Sequence, residues 1–183
     1  MHRGFKSIGK VLSILLVLAL TSCGFKPMYG ANSESGSGLA QVMANIDIDQ
    51  IRNMEGRQER LSQLLQNNLL ERISPLSSDG SQTLYLLKAS YDVEEAGYGI
   101  REDESVTLQN LKLTVEFRLI DINSDNAIMD GTARAIVTYD LVQSDFSNMT
   151  ARNTSLERLS EEVANQIITR IGTYLSENPQ GVE

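Results

Sequence analysis

The 183-residue chain contains no tryptophan, one histidine, one cysteine and three prolines. The histidine is His2, ahead of the apolar run Val11 to Leu20, and the cysteine is Cys23, just behind it. Residues 24–183 therefore have neither imidazole nor thiol, which excludes Ser-His-Asp and Cys-His nucleophilic machinery and the usual zinc ligands from them. A lone cysteine has no intramolecular disulfide partner, so Cys23 needs another reason to be present. No Asp-x-Asp-x-Asp-Gly loop occurs, which removes the commonest calcium signature. Cations are scarce as well, with 16 Lys and Arg against 24 Asp and Glu. A field of that sign does not favour nucleic acid or an anionic surface, so an anionic ligand would have to be held by a local basic cluster. The acidic clusters Glu94-Glu95 and Glu102-Asp103-Glu104 are unaccompanied by a second catalytic element and read as solvated, so no enzyme is expected.

What is present begins with a positive start, Arg3, Lys6 and Lys10, followed by a ten-residue run that is apolar except for Ser13 and then by small residues. This is the layout of a secretory signal peptide over residues 1–22, and the apolar run is shorter than the roughly 20 residues a spanning helix needs. Leu20-Thr21-Ser22-Cys23 resembles the lipobox of bacterial lipoproteins. The resemblance implies that Cys23 becomes the first mature residue and carries a covalent diacylglycerol and an N-acyl chain, with no other cofactor. Several acyl chains, each adding about 0.8 kcal/mol per buried methylene, make a stable anchor. Gly24 in place of aspartate points, by the same resemblance, to the outer membrane, reached through the periplasm. Without residues 1–22 the chain has 161 residues, one domain's worth, and 13 basic against 24 acidic side chains, a net charge of −11.

Residues 23–38 read as lipid anchor and linker. Ala31 to Gly38 is a Gly/Ser stretch, and 16 residues of flexible chain reach about 20 to 24 Å on average. A single domain is expected over 39–178, with 179–183 as a tail. Leu39 to Ile48 alternates as a half-buried strand, and Gly56 to Ile73 has the period of a helix, with Leu61, Leu64, Leu65, Leu69 and Ile73 on one face. Leu70 points away from that face. Asn68 and Arg72 interrupt it, and Ser74-Pro75 stops the helix. Ser77 to Ser81 is a turn. A second strand places Tyr85, Leu87, Ala89, Tyr91 and Val93 on one side, and Glu94 to Glu104 reads as a polar, glycine-containing loop.

The third strand has Leu111, Leu113, Val115, Phe117 and Leu119 in phase, while Val106 and Leu108 fall on the other parity. A bulge is therefore expected near Gln109-Asn110. Asn123 to Asn126 forms a hairpin turn, and a fourth strand runs to about Val142 with Ala133, Ala135, Val137, Tyr139 and Leu141 inward. Thr154-x-x-Glu157 fits a capping box for a last helix whose stripe runs from Leu156 to Leu175 and ends at Asn178-Pro179. The order is β-α-β-β-β-α. Each strand has one apolar and one mostly polar face, unlike strands buried on both sides. The fold class is α+β, a two-layer sandwich of a four-stranded mixed sheet with both helices on one face.

Cys23 to Gly30, reading Cys-Gly-Phe-Lys-Pro-Met-Tyr-Gly, together with Thr138-Tyr139-Asp140-Leu141, Ser144-Asp145-Phe146 and the helical Ala164 to Arg170, resembles the LptE family of LPS-assembly lipoproteins. That resemblance implies a plug in the lumen of the outer-membrane β-barrel LptD that helps lipopolysaccharide reach the outer leaflet. The implied partners are LptD, lipopolysaccharide and the membrane that holds the anchor; nucleic acid is not among them. A plug in a polar lumen needs a polar surface, and the outward sheet face supplies Lys88, Lys112, Thr114, Arg118, Arg134 and Thr138. Candidate contacts for an anionic glycolipid or the barrel wall are Lys88, Arg101, Lys112, Arg118 and Arg134. The net charge of −11 opposes an anionic glycolipid and favours barrel assembly as the main task. The alternative is an auxiliary lipoprotein of an ABC-type lipid transport system, since such proteins can share a helix-backed sheet.

Overall fold

The computed structural model describes residues 42–57, 59–73, 82–100 and 106–178. Cys23, Arg101, the signal, linker and tail segments, the Glu102–Glu104 cluster, Ser74-Pro75 and the Ser77–Ser81 turn lie outside the described residues. Strands β1 (Ile46–Ile48) and β2 (Arg52–Asn53) precede helix α1 (Arg60–Ile73). Then come β3 (Tyr85–Ile100), β4 (Val106–Asp121), β5 (Asn126–Asp140) and helix α2 (Asp145–Glu177). The sheet order is β1-β3-β4-β5, with β2 also paired to β3. β1 and β2 run parallel to β3, and the other pairs are antiparallel.

The α+β class and the helix-backed sheet agree with the periodicity. Odd-numbered residues of the three long strands face the helices, and Leu87, Leu111, Leu113, Val115, Leu119 and Ala133 are fully buried there. They form one core with Leu65 and Leu69 of α1 and Val163, Ile167 and Ile171 of α2. Asn68 and Arg72, which look misplaced on the apolar face of α1, belong to the seam between the helices. Asn68 Nδ2 donates to Ser160 Oγ at 2.9 Å, and Arg72 Nε donates to Asn165 Oδ1 at 2.6 Å. With Arg60 Nη2 on Glu157 Oε1 at 3.0 Å, contacts advance in the same direction along both helices, so α1 and α2 run parallel. Leu70 is exposed, as its angular position on α1 requires.

Six local expectations are corrected. Residues 42–44 are helical and the first strand is only Ile46–Ile48, because the alternation there comes from residues buried by a turn as well as by a strand. β2 is a fifth strand too short to show a period. α1 starts at Arg60 and not Gly56, whose φ of +82° places it in the preceding turn. The Glu94–Glu104 segment is no loop up to Ile100: β3 continues through Gly97-Tyr98-Gly99, paired in unbroken register with β4, so no bulge occurs at Gln109-Asn110. Leu108 simply stays on the outer face opposite Tyr98. The shift lies between Leu119 and Ile120, which oppose Met129 and Ala127 and leave Ile128 as the extra residue. Finally, α2 starts at Asp145, capped by Ser144, whose Oγ accepts from Ser147 N at 3.3 Å. The Thr154-x-x-Glu157 pattern lies inside a 33-residue helix.

Candidate functional site: the uncovered sheet face and its edges

Even-numbered residues of β3, β4 and β5 form the face that no helix covers among the described residues. The register lays them out in rows. Lys88, Arg118 and Asp130 form one row, Asp92, Thr114 and Arg134 another, and Glu94, Lys112 and Ile136 a third. Four of the five basic candidates thus share one surface. Lys88 and Arg118 are direct cross-strand neighbours, and Lys112 and Arg134 are diagonal ones.

The face is not a basic patch, however. Lys112 Nζ lies 2.7 Å from Glu94 Oε1 and Arg118 Nε lies 2.5 Å from Asp130 Oδ1, so two of the four cations are compensated on the spot. Asp92, Glu116 and Asp140 add further negative charge to the same side. Exposed pairs of this kind are worth about 1 kcal/mol at most. Lys88 and Arg134 are exposed, and neither side chain has an ion-pair partner among the described residues. A groove of about 710 Å³ runs beside Lys88 and Arg118 to Arg52, with Asp49, Glu116 and Asp130 on its other margins. Arg52 sits on β2, which no sequence pattern announces.

At the far end of the face Tyr98 Oη and Thr138 Oγ1 meet at 3.0 Å, joining β3 to β5 across β4. Ile136, in the row of Glu94 and Lys112, is 62% exposed. Asn110, which lies between these strands in the register, has a buried Oδ1 with no hydrogen-bond partner among the described residues.

On the helix side a second cleft, about 410 Å³, opens between the Met54–Arg57 turn, the start of α1, residues 91–95 of β3, and Arg152 to Leu156 of α2. Arg152 Nε donates to Glu95 Oε1 at 2.9 Å, and that bond raises the guanidinium pKa further. Tyr91 Oη lies 3.2 Å from Ser62 Oγ in the cleft wall, and burial pushes its pKa up. This cleft was missed by sequence reasoning because Glu95 and Arg152 are 57 residues apart and no local signal pairs them. Among the described residues no group of three or more His, Cys, Asp or Glu could hold a metal ion, and no helix is long and apolar enough to cross a membrane.

Residues 43–171 match the LptE family, described as lipopolysaccharide-assembly. The chain is 22% identical over 161 residues to the protein RP188 of Rickettsia prowazekii, covering 88% of this chain and 94% of that one. Its fold is shared with a lipoprotein of Caulobacter crescentus, with a TM-score of 0.57, 22% identity, and coverage of 76% of this chain and 97% of the other. It is shared also with lipoprotein B of Nitrosomonas europaea, with a TM-score of 0.52, 12% identity, and coverage of 76% and 93%. A minor lipoprotein of Acinetobacter baumannii gives 0.50 at 16% identity, over 70% and 91% of the two chains. With a family match spanning most of the domain and a helix-backed sheet in common with several lipoproteins, this chain belongs to the LptE family of lipopolysaccharide-assembly lipoproteins.

Proposed function

We propose that the protein is an outer-membrane lipoprotein, held through acyl chains on Cys23, that plugs the LptD β-barrel, helps it assemble, and assists lipopolysaccharide on its way to the outer leaflet. The observation that carries this reading is the uncovered sheet face. It is broad, polar and internally charge-paired, a surface suited to a barrel lumen lined with polar side chains and poorly suited to burial in lipid. Its role is binding and scaffolding rather than catalysis. The pairing of Lys112 and Arg118 with carboxylates, added to the net charge of −11, makes direct capture of an anionic glycolipid the lesser task. The Lys88 and Arg134 cations are what remain for it.

The deciding experiment is depletion of the protein in its own cell. The expected result is misassembled LptD and loss of lipopolysaccharide from the surface, with LptD copurifying with the tagged protein from detergent. A folded barrel and unchanged surface glycolipid after depletion would exclude the assignment.

A further inference from the structure

The two long edges of the sheet are finished differently. On β5, side chains of α2 occupy the outward main-chain groups: Gln166 takes both the N–H and the C=O of Arg134, and Arg170 donates to the C=O of Thr132. On β3, the carbonyls of Leu87 and Tyr91 accept from Asp49 N and Met54 N, each at 2.9 Å, and there the cover ends. The main-chain N–H and C=O groups of odd residues of β3 point to this edge, whereas those of even residues bond β4, as Leu84 O does with Ile122 N at 3.0 Å. Val93, Glu95 and Gly97 therefore turn their N–H and C=O groups to the open side, without a partner among the described residues.

Exposed edges are normally guarded by free charge, proline or a bulge. This one has none of these. Glu94 is tied to Lys112 and Glu95 to Arg152, both directed off the edge onto the faces of the sheet. Ala96 and Gly97 leave the backbone open to close approach, and the ladder to β4 is regular here. Directly beside the edge lies the 410 Å³ cleft, whose apolar wall is Met54, Leu61, Leu64, Val93 and Leu156. Met54, where β2 stops, is 51% exposed.

We propose that the Val93–Gly97 edge of β3 docks an extended segment of a partner protein, which joins the sheet as a further strand and inserts one apolar side chain into the adjacent cleft. β1 and β2 already bond this edge strand to strand, and the added segment continues their seam toward the far end of β3. Main-chain hydrogen bonds supply the affinity in this mode, and the pocket for an alternate side chain supplies the selectivity. The site is distinct from the uncovered face, so it stands whether or not that face meets a barrel wall.

The test compares amide hydrogen exchange over residues 92–98 in the full-length protein isolated alone and in the complex recovered from detergent-solubilised membranes. Val93, Glu95 and Gly97 are expected to exchange at least about tenfold more slowly in the complex. Gly97→Pro, which deletes an outward N–H without touching the β4 ladder, should abolish that protection, while Gly97→Ala keeps it. Should Gly97→Pro fail to fold, Val93→Lys, which places a charge at the mouth of the cleft, carries the same expectation. Equal exchange in both preparations overturns the proposal, as does protection that survives the variants. Protection already present in the dilute isolated protein would assign the edge to the chain's own N-terminal residues, and protection that grows with protein concentration would assign it to a second copy; either result also overturns it.

Discussion

Gln166 meets the main chain of Arg134 with both ends of its side-chain amide. Its Nε2 donates to Arg134 O at 3.0 Å, and its Oε1 accepts from Arg134 N at 3.3 Å. The side chain thus stands in for the outer neighbouring strand that β5 lacks among the described residues, and Glu162 Oε1, 3.1 Å from the same Nε2, steadies it.

Gln166→Leu should cost about 1 kcal/mol, the usual net worth of a lost protein hydrogen bond. It should also expose an edge that pairs with other chains. Urea unfolding reads the first effect and sedimentation at rising concentration the second; a variant that stays monomeric at every concentration would show that the amide does not guard the edge.

Gly131 lies under the Phe117 ring in the β4–β5 ladder, and a Cβ there would come 2.5 Å from Phe117 Cζ. Gly131→Val is expected to lower stability by about 1 to 3 kcal/mol, the range for forced overpacking. Adding Phe117→Leu should restore part of it, because the clash is with a ring and not with backbone. Thermal melts of the single and double variants decide the matter, and strictly additive losses would mean that the two positions do not interact.

The four basic residues of the uncovered face should not be equivalent. Replacing Lys88 and Arg134 by alanine is expected to weaken lipopolysaccharide binding several-fold, while the Lys112 and Arg118 pair of replacements changes it less, since their charges already face Glu94 and Asp130. Binding is measured at fixed ionic strength, because screening acts on exposed charges first. Equal losses from both pairs would show that the ion pairs open on contact.

Stability should decline in alkali. Burial raises the phenol pKa of Tyr85 and of Tyr91 above 10.0, with Asp121 and Glu59 adding to the effect. The folded state therefore holds these protons more tightly than the unfolded chain does. Their contribution is complete below pH 10.0 and is lost as pH climbs through the raised folded values. Denaturation midpoints followed between about pH 8 and 11 should fall at the upper end, and Tyr91→Phe should flatten that fall while losing the Ser62 hydrogen bond. An unchanged profile in Tyr91→Phe would place the alkaline sensitivity elsewhere.

Much of the domain is legible in the chain itself. The stripe Leu111, Leu113, Val115, Phe117, Leu119 and the faces of both helices are set by period, and the buried residues follow them with few exceptions. Boundaries are less legible. Gly97 and Gly99 suggest a loop to any local reading, yet they sit in a strand because fifteen residues of antiparallel pairing with β4 override local preference. The candidate cations Lys88, Lys112, Arg118 and Arg134 were found on one face because alternation alone assigns faces. That two of them are neutralised depends on carboxylates 18 and 12 residues away in sequence.

By itself the sequence determined which side of each element is apolar, the order in which elements follow one another, and the acidic balance of the whole. These are properties of single residues and of their immediate spacing, and no partner is needed to define them. Tertiary structure alone decided that α1 and α2 run parallel, that Gln166 closes one edge of the sheet, and that the edge at Val93 to Gly97 has no strand beside it among the described residues. Each of these depends on where distant segments stop relative to one another, which is fixed only when the strands are in register and the helices are packed.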